Sequence, residues 1–194
     1  MELGIYHEFP VLPGRSQAEC FAAGFDIVDA SEEFGLDVMW IAELHFDKRR
    51  ALAASPLVLG TAIAARTERI RIGTSVQVLP LANPLRIAEE AATLDHVSKG
   101  RLIFGVGRSG VVKTYEALNI AYSESKDREI ECLEIIQRAC RCGTRMCGCS
   151  SSTSTSTAKP GPTPDIPGRH PSISVAPVSS PKPMRRPRKP TGRR

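Results

Sequence analysis

Short apolar segments alternate with amphipathic helices through the first 139 residues, and this alternation constrains the fold more than any other feature. Period and length predict strands at residues 1–6, 37–41, 70–76 and 102–106. The second segment, DVMWI, is almost continuously apolar, as is typical of a strand buried on both faces. Strict alternation of this kind predicts parallel strands joined by right-handed crossovers, and therefore an α/β fold.

Each intervening helix carries its own start signal. Ser16 followed by Glu19 has the spacing of a capping box. Proline in the first turn marks the starts of the second and third helices, at Pro56 and Pro84. Gly100 ends the third helix, and a fourth is predicted to begin at Ser125.

Four βα units fit two architectures, an open doubly wound sheet or part of a (β/α)8 barrel. A complete barrel needs about 250 residues, and 139 residues supply only half of its eight units. The alternation alone does not choose between half a barrel and a small open sheet.

A glycine pattern bears on this choice. Gly105, Gly107 and Gly110 match G-x-G-x-x-G, the fingerprint of dinucleotide-binding folds. That fingerprint normally follows the first strand and opens a helix, so that the pyrophosphate meets the helix N-terminus. Here it follows the fourth strand and no clear helix start comes after it, which disfavours a Rossmann site.

Polar side chains follow two of the predicted strands. Glu43 and His45 come just after the second strand, and Arg108 comes just after the fourth. In α/β folds the ligand-binding loops lie at the carboxyl ends of the strands. His45 is a candidate for proton transfer, and Arg108 could bind a phosphate or an anionic ring. The alternatives are that His45 is a structural histidine and that Arg108 is an ordinary surface arginine.

The chain changes character after residue 139. Residues 140–194 contain 11 of the 26 basic residues, only one of the 21 acidic ones, and ten of the fifteen prolines. They contain no aromatic residue, whereas all ten aromatic residues precede them. A segment without large apolar side chains cannot offset the entropy of ordering. We therefore predict a folded domain over 1–139 and a disordered, basic tail over 140–194.

The tail offers two further chemistries, both of which we disfavour. Cys140, Cys142, Cys147 and Cys149 form C-x-C-x4-C-x-C, whereas structural zinc sites use pairs spaced C-x2-4-C, so no metal site is predicted. The basic end could attract nucleic acid by charge, but it lacks interleaved aromatic residues. The composition is that of a GC-rich gene read in the wrong frame, which suggests a frameshift.

Composition also bears on localisation. No segment approaches the roughly 18 continuous apolar residues of a membrane span, and the acidic start lacks the features of a signal peptide. Isolated cysteines within helices, Cys20 and Cys132, suit a reducing compartment. We expect a cytoplasmic protein without a membrane partner.

Taken together, four segments resemble the luciferase-like, flavin-dependent monooxygenases. They are ELHF after the second strand, GTSVQVLPLANP after the third, LDHVSKGRLIFGVGRS through the fourth, and YSESKDREIECLEII in the fourth helix. The resemblance covers about residues 1–139. It implies the N-terminal half of a (β/α)8 barrel that binds FMN, or in some branches F420, at the carboxyl ends of its strands.

The resemblance also assigns residues. Ser75 and Val76 match the dipeptide beneath the flavin ring, often joined by a cis peptide bond, and Thr74 adjoins it. Arg108 matches an arginine that contacts the flavin, and His45 becomes the proton-transfer candidate. Bacterial luciferases have two adjacent histidines where this chain has Leu44 and His45, so the resemblance does not extend to light emission.

The implied activity is oxygenation of a small organic substrate by reduced flavin and O2. A flavin reductase is the implied partner, with a homodimer or heterodimer left open. Because only half a barrel is recognisable, the alternative is a truncated, non-catalytic fragment or subunit. A third alternative is an interaction protein that acts through its basic tail.

Overall fold

The computed structural model describes residues 1–47, 50, 52–141 and 174–177, and strands and helices alternate along this part of the chain. The strands are β1 (Gly4–His7), β2 (Val38–Ile41), β3 (Arg71–Thr74), β4 (Gln77–Val78), β5 (Leu102–Gly107) and β6 (Ser174–Pro177). The helices are α1 (Gln17–Glu33), α2 (Pro56–Arg66), α3 (Pro84–Val97), α4 (Val112–Ala117) and α5 (Ser125–Arg141). Short 3₁₀ turns lie at Leu79–Leu81 and Tyr122–Glu124.

All paired strands are parallel, and they follow the order of the chain. β1 pairs with β2, β2 with β3, and β3 with β5. Ile103 in β5 pairs with Gly73 on one side and with Ser174 of β6 on the other. The order is therefore sequential, as in a (β/α)8 barrel, and the open dinucleotide-binding order is excluded. The prediction of a partial barrel is confirmed.

β3 and β4 are two halves of one strand interrupted by a bulge. Gly73 pairs with Ile103 and Gln77 with Val106, so three residues separate the pairs on one strand and two on the other. One extra residue between paired positions is the definition of a β-bulge. The predicted third strand, 70–76, is corrected accordingly: pairing stops at Thr74 and resumes at Gln77.

The two faces of the sheet differ in burial. Side chains alternate along a strand, and Met39, Ile41, Ile72 and Phe104 on one face are at most 1% exposed. Helices α2, α3 and α5 pack in succession, and a side chain at Gly60 of α2 would contact Ile72 and Leu94. The helices therefore cover this face and form the core with it.

The opposite face is partly exposed in the part of the chain that the structure describes, with Val38 on it buried. Tyr6 on this face is 52% exposed, and Trp40 beside it is half-buried. The indole of Trp40 lies across Gly4 and Gly73, where an added Cβ would approach it to 3.0 and 2.3 Å. These two glycines leave the space that the indole occupies.

The helix signals in the sequence are confirmed. Ser16 and Glu19 form both halves of the capping box. The side chain of Asn83 accepts hydrogen bonds from the backbone N–H groups of Leu85 and Arg86, which satisfies two unpaired donors at the start of α3. Gly100, at φ 82°, follows the end of the same helix.

Two expectations require correction. α4 was not predicted, because its N-cap, Val111, offers no side-chain hydrogen bond that sequence could reveal. Residues 174–177, placed in the disordered tail, form a strand along the free edge of β5. The sequence SVAP can pair there because an edge strand presents unpaired backbone groups. The other tail residues after Arg141, and the predicted disorder of that segment, lie outside the described residues.

Arg101 connects three elements at the amino end of β5. Its guanidinium donates five hydrogen bonds of 2.7–2.9 Å, to the backbone carbonyls of Ala64, Thr67, Ile70 and Ser98 and to the Thr67 hydroxyl. Burial lowers the pKa of Arg101 below its ordinary value. All five guanidinium N–H donors are therefore used within the fold.

Candidate active site

The structure places the candidate residues at the carboxyl ends of neighbouring strands. Ser75 directly follows β3, Arg108 directly follows β5, and His45 lies in the loop after β2. A backbone hydrogen bond of 2.7 Å from Ser75 N to Ile41 O joins the ends of β2 and β3. The rim predicted from sequence is therefore formed by the expected strand ends.

Glu43 is the centre of a hydrogen-bonded group on this rim. Its Oε1 lies 2.7 Å from His45 Nε2, and its Oε2 accepts hydrogen bonds from Gln77 Nε2 at 2.6 Å and Val78 N at 2.7 Å. The Glu43 side chain is 4% exposed and the His45 side chain 20%. A buried carboxylate thus holds a partly exposed imidazole.

The Thr74–Ser75–Val76 segment runs from the end of β3 to the start of β4, which carries Gln77 and Val78 of this group. The Ser75–Val76 peptide bond is cis, as the resemblance implied. Thr74 is fully buried, and its hydroxyl donates to the Gly105 carbonyl at 2.7 Å. An added Cβ at Gly107 would approach Val76 Cγ2 to 2.8 Å, so the valine side chain packs directly against the backbone of β5. The Thr74 hydroxyl is used between strands, whereas Ser75 and Val76 lie at the strand end.

A second group surrounds Arg108. Its Nη1 donates to Ser125 Oγ at 3.1 Å, and its guanidinium carbon lies 5.4 Å from the centre of the Tyr122 ring. The Tyr115 hydroxyl donates to the backbone carbonyl of Arg108. Within the described residues, no carboxylate forms an ion pair with Arg108. Among the described residues, the contacts that orient the Arg108 guanidinium come from neutral groups.

Tyr115 belongs to the group around Arg108. Burial raises the pKa of Tyr115 to about 12, Tyr122 adds to this rise, and the charge of Arg108 opposes it. Tyr115 also packs edge-on against Tyr122, with ring centres 5.1 Å apart. The phenol stays protonated at neutral pH and keeps its hydrogen bond.

Sequence reasoning missed several residues of this site. It noted Glu43 at a strand end and Ser125 as a helix start without giving either a role in the site, and it did not single out Gln77, Tyr115 or Tyr122. A signal existed for Gln77, because it lies just beyond the Ser75–Val76 dipeptide on the same strand. The tyrosines lie in an unpredicted helix and a 3₁₀ turn, where no sequence signal pointed to Arg108.

Two other expectations concern metal and membrane. Among the residues that the structure describes, no group of three or more His, Cys, Asp or Glu side chains could hold a metal ion. Cys142, Cys147 and Cys149 lie outside those residues. Over the same part of the chain, none of the helices has the length and apolarity needed to span a bilayer.

Comparison with known proteins adds independent findings. The family model described as luciferase-like monooxygenase matches residues 1–187. This match extends beyond residue 139, where the resemblance was expected to end, and includes β6. The 4-hydroxyprotoasukamycin monooxygenase of Streptomyces nodosus subsp. asukaensis is 33% identical over 113 residues, covering 58% of this chain and 30% of that protein.

Solved structures agree with this match. A monooxygenase from Streptomyces bottropensis superposes with a TM-score of 0.68 at 30% identity, covering 72% of this chain and 43% of the other. The oxygenating constituent of 3,6-diketocamphane monooxygenase from Pseudomonas putida, in complex with FMN, superposes with a TM-score of 0.66 at 26% identity, covering 72% and 39%. The chain spans about a third of the length of the curated relatives it matches.

Proposed function

We propose that this chain, which belongs to the luciferase-like monooxygenase family, binds reduced flavin at the carboxyl-end rim of its sheet and uses O2 to oxygenate a small organic substrate. One observation carries the proposal. A buried Glu43 paired with a partly exposed His45, and an arginine without a carboxylate partner in the described residues, follow strands of the same sheet. Proton transfer and anion binding are the two tasks that flavin oxygenation requires from side chains.

The donor set around Arg108 fits a flavin. The guanidinium has five N–H donors, and within the described residues one of them is used, by the neutral hydroxyl of Ser125. A flavin offers two anionic groups, its phosphate and its reduced ring, and either can accept charge-assisted hydrogen bonds. Ser75 and Val76, at the strand end, are proposed to support the ring, with Thr74 holding them from within the sheet.

The residues of this chain have distinct tasks in the proposed reaction. When bound, reduced flavin supplies the electrons that activate O2. His45 holds a proton at the rim and exchanges it with the reacting groups, and Arg108 stabilises negative charge on the flavin. The packed side chains of Val76 and Tyr122 exclude water from these groups.

FMN is the proposed cofactor, with F420 as the alternative. The solved relative at 26% identity is in complex with FMN, which supports the choice. The proposal also includes a small organic substrate, a flavin reductase that supplies reduced flavin, and assembly as a homodimer or heterodimer. We propose a cytoplasmic location on the same basis as the sequence expectation.

A second candidate function has its own supporting observation. On the partly exposed face of the sheet, Tyr6 is 52% exposed and Trp40 half-buried. A chain that contributes this face to a barrel completed by a partner would be a non-catalytic subunit. Such a protein would be colourless alone and would bind flavin only with its partner.

Titration of FMN into the purified chain, followed by flavin fluorescence quenching, tests the proposal. We expect weak, saturable binding by the wild type, and binding about ten- to a hundred-fold weaker for Arg108→Ala. That range corresponds to the roughly 1.5–3 kcal/mol of a charge-assisted hydrogen bond. Arg138→Ala is the matched control, because the Arg138 side chain is 81% exposed and lies near the end of α5, whereas the Arg108 partner Ser125 is the first residue of that helix.

The outcomes separate the candidates. Equal FMN affinity in the wild type and Arg108→Ala would remove Arg108 from the flavin site. No FMN binding by the wild type alone, with binding restored by a barrel-type partner, would favour the non-catalytic subunit. Tighter binding of F420 than of FMN would replace the proposed cofactor.

A further inference from the structure

The hydrogen bonds around Glu43 determine where the hydrogen atoms of this group lie. Oε2 receives the backbone N–H of Val78 and the side-chain amide of Gln77, at 2.7 and 2.6 Å. Both partners are donors through nitrogen, so Oε2 acts purely as an acceptor. An ionised carboxylate accepts on both oxygens, and its other oxygen, Oε1, faces His45 Nε2 at 2.7 Å.

With an ionised Glu43, whose two oxygens can only accept, the hydrogen between Glu43 and His45 belongs to the imidazole. Nε2 carries it and donates it to Oε1, and in the neutral ring the free lone pair lies on Nδ1. Resting on the function proposed above, we propose that Glu43 is a positioning residue that fixes His45 in the Nε2–H tautomer. Nδ1 is then the nitrogen that exchanges a proton with the flavin or substrate.

The anchoring of Glu43 explains why this arrangement is rigid. Val78 and Gln77 form β4 and lie directly after the Ser75–Val76 dipeptide. The carboxylate therefore ties the loop after β2 to the strand that carries the proposed ring support. Partners of this kind fix the orientation and tautomer of a functional histidine, so the position of the His45 ring depends on β4 through Glu43.

A Glu43→Gln substitution gives a specific prediction. Two donors still face the position of Oε2, so the amide oxygen of the glutamine must lie there and its NH2 group must face His45. The NH2 group donates to Nε2, which becomes an acceptor, and the neutral ring must carry its hydrogen on Nδ1 instead. The substitution is therefore expected to move the ring hydrogen of His45 from Nε2 to Nδ1.

The experiment uses the full chain labelled with 15N-histidine and long-range 1H–15N correlation spectra above the histidine titration range. The chain contains four histidines, and His45→Gln identifies the signals of His45. We expect the Nε2–H tautomer in the wild type and the Nδ1–H tautomer in Glu43→Gln. Glu89→Gln is the control, because Glu89 is exposed on α3 and pairs with Arg86, and it should leave the tautomer unchanged.

Each outcome decides the proposal. Because Nε2–H is also the commoner tautomer of a free imidazole, the inversion in Glu43→Gln is the diagnostic result. Retention of Nε2–H in folded Glu43→Gln overturns the proposal. If that variant does not fold, the wild type decides alone: a slowly exchanging Nε2 proton supports the proposal, and an Nδ1–H tautomer overturns it.

FMN affinity measured on the same samples keeps the two proposals distinguishable. A wild type that shows the expected tautomer and no FMN binding contradicts the flavin function while leaving the positioning role of Glu43 supported. A wild type that binds FMN with the opposite tautomer contradicts the role of Glu43 alone.

Discussion

Two arginines, one at each end of β5, show how the ends of this sheet differ. Arg101 precedes the strand, and its guanidinium donates five hydrogen bonds, four of them to backbone carbonyls. Arg108 follows the strand and, among the residues that the structure describes, donates one hydrogen bond, to the hydroxyl of Ser125. The same side chain is thus fully used for structure at one end and left largely available at the other.

This difference matches the division of labour in barrel folds. Their amino ends contribute to stability and their carboxyl ends to ligand binding. A positive charge surrounded by carbonyls has no capacity for a ligand, whereas a charge oriented by a hydroxyl and an aromatic ring retains it. The comparison predicts that the two arginines affect different measurements when they are removed.

The largest effect is expected at the amino end. Arg101→Ala removes the donor for the carbonyls of Ala64 and Ile70, and unsatisfied buried acceptors are costly. We expect a loss of about 3 kcal/mol in the free energy of unfolding, measured by urea denaturation. Arg86→Ala, which removes an exposed arginine with two long ion pairs, should change stability by no more than about 0.5 kcal/mol. A loss from Arg101→Ala as small as the control would refute the structural role.

Arg108→Ala should have a smaller effect on stability. Its single hydrogen bond and its contact with Tyr122 together predict a loss of about 1 kcal/mol. The same urea denaturation measures it, beside the larger loss of flavin affinity predicted above. A destabilisation comparable with that of Arg101→Ala would abolish the contrast between the two ends.

The smallest effect concerns His7, at the carboxyl end of β1. Burial lowers the pKa of His7 below 6.5, and its Nε2 has no hydrogen-bond partner among the described residues. The unfolded chain therefore binds this proton more tightly, so the contribution of His7 to stability is present above pH 6.5 and lost as pH falls towards the folded pKa. His7→Gln should lose less stability than the wild type between pH 7.5 and pH 5 in urea denaturation. Equal losses would indicate that His7 titrates alike in both states.

Much of the helical layer could be predicted from local sequence signals. The capping box at Ser16, the Asn83 cap and the first-turn proline Pro56 depend on neighbours within four residues, which a sequence displays directly. The role of Arg101 could not be predicted in this way. Its partners come from α2, the start of β3 and the end of α3, and only the folded arrangement brings these carbonyls together.

At the carboxyl end, sequence gave the candidates but not their connections. Residue type and strand-end position indicated His45 and Arg108, and the resemblance indicated Ser75 and Val76. The contact of Glu43 with Val78 spans 35 residues and depends on the bulge between β3 and β4. The glycine pattern at Gly105 and Gly107, which the sequence context already disfavoured as a dinucleotide site, has a structural explanation. At Gly105 an added Cβ would meet the Thr74 carbonyl at 2.1 Å, so close strand contact, rather than a phosphate, explains this glycine.

The pairing of β6 with β5 has a consequence for the order of folding. Partners in the β1–β2, β2–β3 and β3–β5 pairs are separated by 30 to 34 residues, whereas Ile103 and Ser174 are separated by 71. Closing a longer loop costs more entropy, and pairings distant in sequence form more slowly. The first four paired strands therefore constitute the early cooperative unit, and β6 joins an edge that has already formed. Hydrogen exchange should accordingly open the β5–β6 ladder before the β2–β3 ladder.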